Sequence, residues 1–483
     1  MSSSMDRSRS ITIVGAGVAG LTLGFQLARH YNVTVVERNG VVGGLARSWH
    51  YGDFHFDVGP HRFHTENRRV AEFIRSVLGD DAIEIRRRSG ARMFGRFHEW
   101  PLRPSVLLSM PLRYMISASK DLIFREHLPG ETFEADVVNK YGRTLYNIFF
   151  KPYTEKFLFY SPRELHRDWA RAGVNRAVID KRASADSLWN LLKTTMLPKP
   201  VETTFLYSPT GVGRFSERLA AGIREMGGQV LLDQPVTGIE TEDNRISALM
   251  LGSTRMPVQN LVWTGPLSVI NRFLGLQSID LEYLSTIFYN LEIGAPPRHD
   301  FQWIYFNGDE IFSRVSAPEA FSPTTVPPGK SALCVELTCR EGDERWRNPE
   351  RFTEAIVADL LRSGTIARAA DVEQIHIEKV PNTYPIYKMN YLTELSRGLQ
   401  ALGQYSNLLL AGRSGRFWYN NMDHSIGQGL TMSDKVLRGA VLSQIDDSAE
   451  REFWATEDDG NVPTREEEIA EPLEEHAPER VGG

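Results

Sequence analysis

Cysteine is nearly absent: the 483 residues hold two, Cys334 and Cys339. They stand five apart in a strand-like run, on opposite faces, so neither a disulfide nor a metal pair is expected, and a reducing cytoplasm fits. No uninterrupted apolar run reaches the roughly 18–20 residues of a membrane span. Met1 to Arg9 is polar and leads directly into a strand-like run, so no signal peptide is expected. A concentrated basic stripe is missing too, which argues against nucleic acid as a partner. The chain has no internal repeat. Its net charge of −6 is unevenly spread. Asp446 to Gly483 holds fourteen acidic and three basic residues, a balance of −11, which leaves the rest at +5. That modest positive balance suits an anionic cofactor or substrate. The tail, with runs such as Glu466-Glu467-Glu468, is expected to stay disordered, the alternative being a docking tail for a partner. With 41% hydrophobic and 24% charged residues, the chain is globular and too long for a single core.

What is present is concentrated near the start. Ile11-Thr12-Ile13-Val14 reads as a buried strand. Gly15-Ala16-Gly17-Val18-Ala19-Gly20 reads as a turn opening a helix, and Val35-Val36-Glu37 as the end of a second strand. Gly15 makes the tight turn, and Gly17 lets the backbone close on a pyrophosphate. Gly20 lets the helix lie against the sheet, while the first helical residues, Val18 and Ala19, aim N–H groups at the anion. Glu37 falls where a carboxylate can accept both ribose hydroxyls of an adenosine. Together these mark a dinucleotide site.

The following run, Glu37-Arg38-Asn39-Gly40-Val41-Val42-Gly43-Gly44-Leu45-Ala46, resembles the second glycine pair of the flavin amine oxidase superfamily. The resemblance implies FAD, with Arg38, Gly43, Gly44, Leu45 and Ala46 along it. The fold class is α/β: a discontinuous Rossmann-type FAD-binding domain, built from residues 10–85, 207–270 and 405–445. Val236 is expected at the adenine edge, and Gly412-Arg413 at a turn delivered to the flavin. Residues 86–206 read as a mostly helical insertion. Within it, Ser105 to Phe124 is read as a buried helix rather than a membrane-surface patch, because charges recur in it. Residues 271–404 alternate in short runs and suggest a mostly antiparallel sheet that roofs the flavin and holds the substrate. The acidic tail is 446–483.

Across residues 10–440 the chain resembles the UDP-galactopyranose mutase and protoporphyrinogen-oxidase-like branch of that superfamily. Asp57-Val58-Gly59-Pro60-His61 is similar to the mutase run that sets a histidine against the isoalloxazine. Lys151-Pro152-Tyr153-Thr154-Glu155-Lys156 resembles its Pro-Tyr-x-x-Lys helix, and Glu99-Trp100-Pro101-Leu102 the segment before its helical domain. Tyr419-Asn420-Asn421-Met422-Asp423-His424-Ser425 resembles the run that closes over the flavin, with Met422, Asp423 and Ser425 as cofactor contacts.

The resemblance implies an enzyme acting on a small molecule, with reduced FAD serving as a nucleophile toward the anomeric carbon of a nucleotide sugar. NADH or NADPH is then the candidate reductant. It implies His61 and Arg314 as catalytic residues, and Tyr153, Lys156, Tyr384 and Tyr419 as substrate contacts. Two positions depart from the mutase pattern: Trp418 and Gly173 stand where its arginines stand. Arg416 or Arg171 could substitute, and Trp418 could instead stack on a flat substrate. Three readings stay open: a nucleotide-sugar mutase, an FAD oxidoreductase that takes a hydride onto N5, and a flavin-binding protein without turnover.

Overall fold

Ile11 and Ile13 are fully buried because Ser10–Val14 is the central strand of a five-stranded parallel sheet. The order is Leu408–Leu410, Leu261–Trp263, Ser10–Val14, Asn32–Val36 and Gln229–Leu231. Helices on both faces explain why these strands are continuous aliphatic runs. The helix Val18–Leu27 packs against the helices Gly213–Glu225 and Met422–Leu437. Glycine sets that approach: a Cβ on Gly429 would lie 2.9 Å from the Cβ of Thr22. The computed structural model describes residues 9–100, 110–124, 126–174 and 204–445. The acidic tail lies outside the described residues.

A second sheet has seven strands. In order they are Val372–Ile386, Glu282–Ile293, Ser331–Cys339, Arg314–Ser316, Trp303–Phe306, Ser89–Met93 and Arg96–Trp100. All neighbours are antiparallel except Trp303–Phe306 and Ser89–Met93. The last two strands fall within residues 86–206, expected to be a mostly helical insertion, and join its first residues to the sheet instead. Their hairpin turns through Phe94 and Gly95, both left-handed at φ +52° and +75°. Phenylalanine is an unusual residue for that conformation, so the turn carried little sequence signal.

Helices do fill much of the described stretch from 110 to 174, notably Leu112–Ile123, Phe133–Tyr141 and Lys151–Leu158. The first of these is not buried as expected. Leu112, Ile116, Ile123 and Phe124 are exposed. The helix is docked instead by polar contacts on its other side. Thr144 donates its N–H to Asp121 Oδ2 at 2.6 Å, and its hydroxyl bonds that of Ser117 at 2.8 Å. Residues 101–109 of the same expected segment lie outside the described residues. No described helix is long and apolar enough to cross a membrane.

One irregularity positions the site. Between Thr286 paired with Val380 and Leu284 paired with Tyr384, the longer strand inserts two extra residues. Asn382 takes a left-handed φ of +57° there. Such a bulge bends the strand and re-aims the side chains beyond it. Tyr384 and the Thr383 carbonyl are thereby turned toward the Gly412 segment.

Candidate active site

The two glycine turns meet. Gly15 bends at φ +101° and donates its N–H to the Val36 carbonyl at 2.8 Å. Gly43 donates to the Ala16 carbonyl at 2.7 Å, and a Cβ on Gly44 would lie 3.2 Å from the Gly17 Cα. A Cβ on Gly17 would meet nothing within 4 Å. The turns therefore flank open space at a helix start, where Val18, Ala19 and Gly20 hold N–H groups without intrahelical partners. That is a cradle for a pyrophosphate.

Beside the cradle, buried Glu37 accepts from the Ala16 N–H at 2.9 Å and from the Asn39 N–H and side chain. Gln234 donates to the Glu37 carbonyl at 2.9 Å, which brings the segment leading to Val236 alongside. Ala46 is buried under the second turn, Leu45 half-buried, and Arg38 exposed. These residues fit the adenosine diphosphate half of FAD.

The next segment is anchored by Asp57. It accepts from Ser48 Oγ and Tyr207 Oη, each at 2.6 Å, and from the Val212 N–H at 3.1 Å. Burial raises its carboxyl to about 6. The chain then turns at Gly59, φ +74°, and Pro60, with the His61 N–H on the Gly59 carbonyl at 2.8 Å. His61 Nδ1 is buried without a hydrogen-bond partner among the described residues. Burial, then Arg413, Arg314 and Arg62, push its pKa down to about 3, so the imidazole is neutral at neutral pH. An orphaned ring nitrogen suits a cofactor with polar edge atoms.

Facing that turn is a chamber of cations and tyrosines. Arg314 makes a bidentate pair with fully buried Glu336, at 2.6 and 2.7 Å, and donates to Tyr384 Oη at 3.0 Å. A Cβ on Gly59 would come within 2.9 Å of Glu336 and 3.5 Å of Arg314, so the pair abuts the His61 turn. Arg413 lies over the rings of Tyr384 and Tyr419, at 5.7 and 5.2 Å. Its N–H groups go to the carbonyls of Thr383 and Asn420. Tyr419 stacks on Trp169 at 4.9 Å, and Tyr153 meets Tyr305 edge-on at 6.1 Å. Glu336 balances one guanidinium. Arg413 has no carboxylate within ion-pair distance among the described residues, which leaves the chamber cationic.

Met422, Asp423 and Ser425 open the helix Met422–Leu437 and are buried. Asn421 and His424 cap it reciprocally, and Gln428 accepts the Gly412 N–H at 2.7 Å. Gly412, at φ +77°, is thus tied to the helix that closes the nucleotide domain.

Several expected contacts stand elsewhere. Trp418 is buried in the nucleotide-domain core and stacks on His424 at 5.7 Å, so it does not face the chamber. Its neighbour Tyr419 takes the chamber side, against Trp169 and Tyr384. Lys156 donates to three carbonyls, of Gly308, Glu310 and Phe312, at 3.0–3.3 Å, which occupies its ammonium. Arg413 turns its guanidinium to the tyrosines rather than to the glycine cradle. Arg171 pairs with Asp168 at 3.3 Å at the surface, and Arg416 lines a separate cavity of about 190 Å³ among leucines. Neither supplies the missing mutase arginines.

Glu336 was not singled out from sequence, although its parity with Cys334 in Ser331–Cys339 puts both on the same inward face. Trp169, buried in the neighbouring core, also walls the chamber by its stacking on Tyr419, and Tyr305 joins it. No group of acids, histidines and cysteines among the described residues could hold a metal.

Residues 18–437 match the model of the family described as flavin-containing amine oxidoreductase. The chain is 23% identical to the probable UDP-galactopyranose mutase of Klebsiella pneumoniae over 455 residues, covering 89% of this chain and 95% of the relative. Its fold is similar to that of a crystal structure of reduced UDP-galactopyranose mutase, with a TM-score of 0.76 at 19% identity, covering 93% of this chain and 99% of the other. A protoporphyrinogen-oxidase-like protein from Exiguobacterium follows, with a TM-score of 0.69 at 17% identity and coverage of 89% and 98%.

Proposed function

This chain belongs to the flavin-containing amine oxidoreductase family and is an FAD-dependent enzyme, and from that premise we propose that it rearranges a nucleotide-activated sugar. The carrying observation is the pair of half-buried guanidiniums at Tyr384, Arg314 hydrogen-bonded to its hydroxyl and Arg413 over its ring. A diphosphate needs cations in a site where water is scarce, and arginine's planar fork suits it. An ammonium substrate would be repelled by the same two guanidiniums, and Glu336, the acid beside them, is already engaged by Arg314.

When bound and reduced, FAD supplies a nucleophilic N5 for the anomeric carbon, and NADH or NADPH is the proposed electron source. The chain's own residues do the rest. Arg314 and Arg413 hold the leaving diphosphate, Tyr384 orients Arg314, and Tyr419 and Tyr153 wall the sugar from water. Neutral His61 offers a hydrogen bond at the flavin edge without adding charge.

A second reading has its own support. Trp418 and Gly173 leave the chamber short of two mutase cations, which favours hydride transfer from a less charged substrate. The test is anaerobic. Dithionite-reduced enzyme is given UDP-hexopyranoses and the nucleotide sugars are separated by chromatography. A ring-contracted isomer with flavin still reduced supports the mutase reading. No isomer, with oxidised flavin bleached by amines or unsaturated cyclic compounds, overturns it in favour of hydride chemistry.

A further inference from the structure

Lys156, expected as a substrate contact, spends its ammonium on backbone. It binds the carbonyls of Gly308, Glu310 and Phe312, at 3.1, 3.3 and 3.0 Å. Those carbonyls belong to the connection between Trp303–Phe306 and Arg314–Ser316. The loop has further ties: Glu310 pairs with Arg92 at 2.6 Å, Asp309 with Arg362 at 3.1 Å, the Ile311 N–H donates to Asp359 at 2.7 Å, and the Asn307 amide donates to the Ile148 carbonyl at 3.1 Å. Lys156 sits one turn beyond Tyr153 on the helix Lys151–Leu158, and Tyr153 meets Tyr305 from the strand entering the loop. The ammonium, with three bonds beside the single one from Asn307, is therefore the main polar tie between the wall that carries Tyr153 and the segment that ends in Arg314.

We infer that Lys156 is a positioning residue: it holds the 308–312 loop so that Arg314 stands at Glu336 and Tyr384, ready for an anionic group. The inference rests on the proposed role of Arg314 in holding a diphosphate. Three carbonyl oxygens converging on one point repel each other unless a cation lies among them, and a neutral amine offers one hydrogen fewer. Burial lowers the Lys156 pKa to about 8, with Glu310, Asp309 and Asp359 acting to raise it and Arg345 to lower it. Charge at Lys156, and with it the loop, is then lost as pH rises through that value.

The test uses FAD-loaded full-length enzyme, with inorganic pyrophosphate and UDP as probes in calorimetry from pH 6.5 to 9.5. Wild type is expected to bind both, with affinity falling as pH passes about 8. Lys156→Met should keep its flavin, bind about tenfold more weakly, and show no step near that pH. Lys156→Arg, charged throughout, should bind within about threefold of wild type and also lack the step. A Lys156→Met enzyme that binds as tightly as wild type overturns the inference. So does a Lys156→Arg enzyme that keeps the step, which is decisive even if the methionine variant fails to fold. Failure of wild type itself to bind either probe would overturn the anion role of Arg314, and this inference with it.

Discussion

The glycine cradle and the cationic chamber are built in opposite ways. The cradle is nearly local: Gly15 to Ala46 supplies both turns, the helix start and Glu37, and the bonds that join its two turns and hold the Glu37 carboxylate run within that stretch. The chamber draws on the His61 turn, the Tyr153 helix, Trp169, two sheet strands, the bulge at Asn382 and the Gly412–Tyr419 segment. A local site depends on backbone conformation at a few glycines. An assembled one depends on whether distant charged side chains find their partners. Changes to the first should switch cofactor binding on or off, while changes to the second should grade substrate affinity.

The largest expected effect separates two glycines of one motif. Gly20→Val would press a Cβ to within 2.4 Å of the Gly15 carbonyl oxygen, where nothing flexible can yield. A loss of about 4 kcal/mol or more is expected, read as a collapsed melting transition in the apoprotein. Gly17→Ala meets no atom. It should leave apoprotein stability within about 1 kcal/mol and still lower FAD affinity about a hundredfold by filling the pyrophosphate space. If both variants fail alike in the melt, the cradle is not a space kept for a ligand.

In the chamber, Glu336→Leu should cost about 3–5 kcal/mol, because it strands the Arg314 charge in the interior. Arg314→Met combined with Glu336→Leu should recover most of that stability while UDP binding stays lost. Urea titrations with calorimetry would show it, and a double variant no more stable than Glu336→Leu would refute the pairing.

The next effect is in pH. The His61 ring is held down to about 3 in the fold against 6.5 unfolded, so its contribution to stability is complete above pH 6.5 and is lost as pH falls toward 3. His61→Gln should flatten that part of the stability curve in melts between pH 7 and 4. An unchanged slope would place the acid sensitivity elsewhere. Smallest is Tyr384→Phe, which removes one hydroxyl from Arg314. It should keep the flavin and cost about 1 kcal/mol, near fivefold in KM, with kcat little changed.

The two regions also differ in how readable they were. Gly15 through Gly20, Glu37 and Gly43-Gly44 were legible because each glycine answers a local need: a left-handed turn at Gly15 and at Gly43-Gly44, close backbone approach at Gly20, open space at Gly17. The chamber residues could be named only through family resemblance, and there the outcome was mixed. Tyr384, Tyr419, Tyr153 and Arg314 do converge, whereas Trp418 turned to the opposite side and Lys156 to a backbone loop. Strand parity could have exposed Glu336, which shares a face with Cys334. No local pattern could have exposed the hairpin at Phe94-Gly95, because its turn uses a residue that rarely adopts the conformation.

By itself the sequence determined the parallel nucleotide-binding sheet, its helix crossings and the glycine cradle, since period, burial and turn chemistry act over a few residues. Only the tertiary structure decided that residues 89–100 complete the second sheet, that Arg314 is neutralised by Glu336, that Arg413 serves the tyrosines, and that Lys156 braces a loop. Those outcomes rest on which charges meet across hundreds of residues, and charge pairing is set by packing geometry that no local segment encodes.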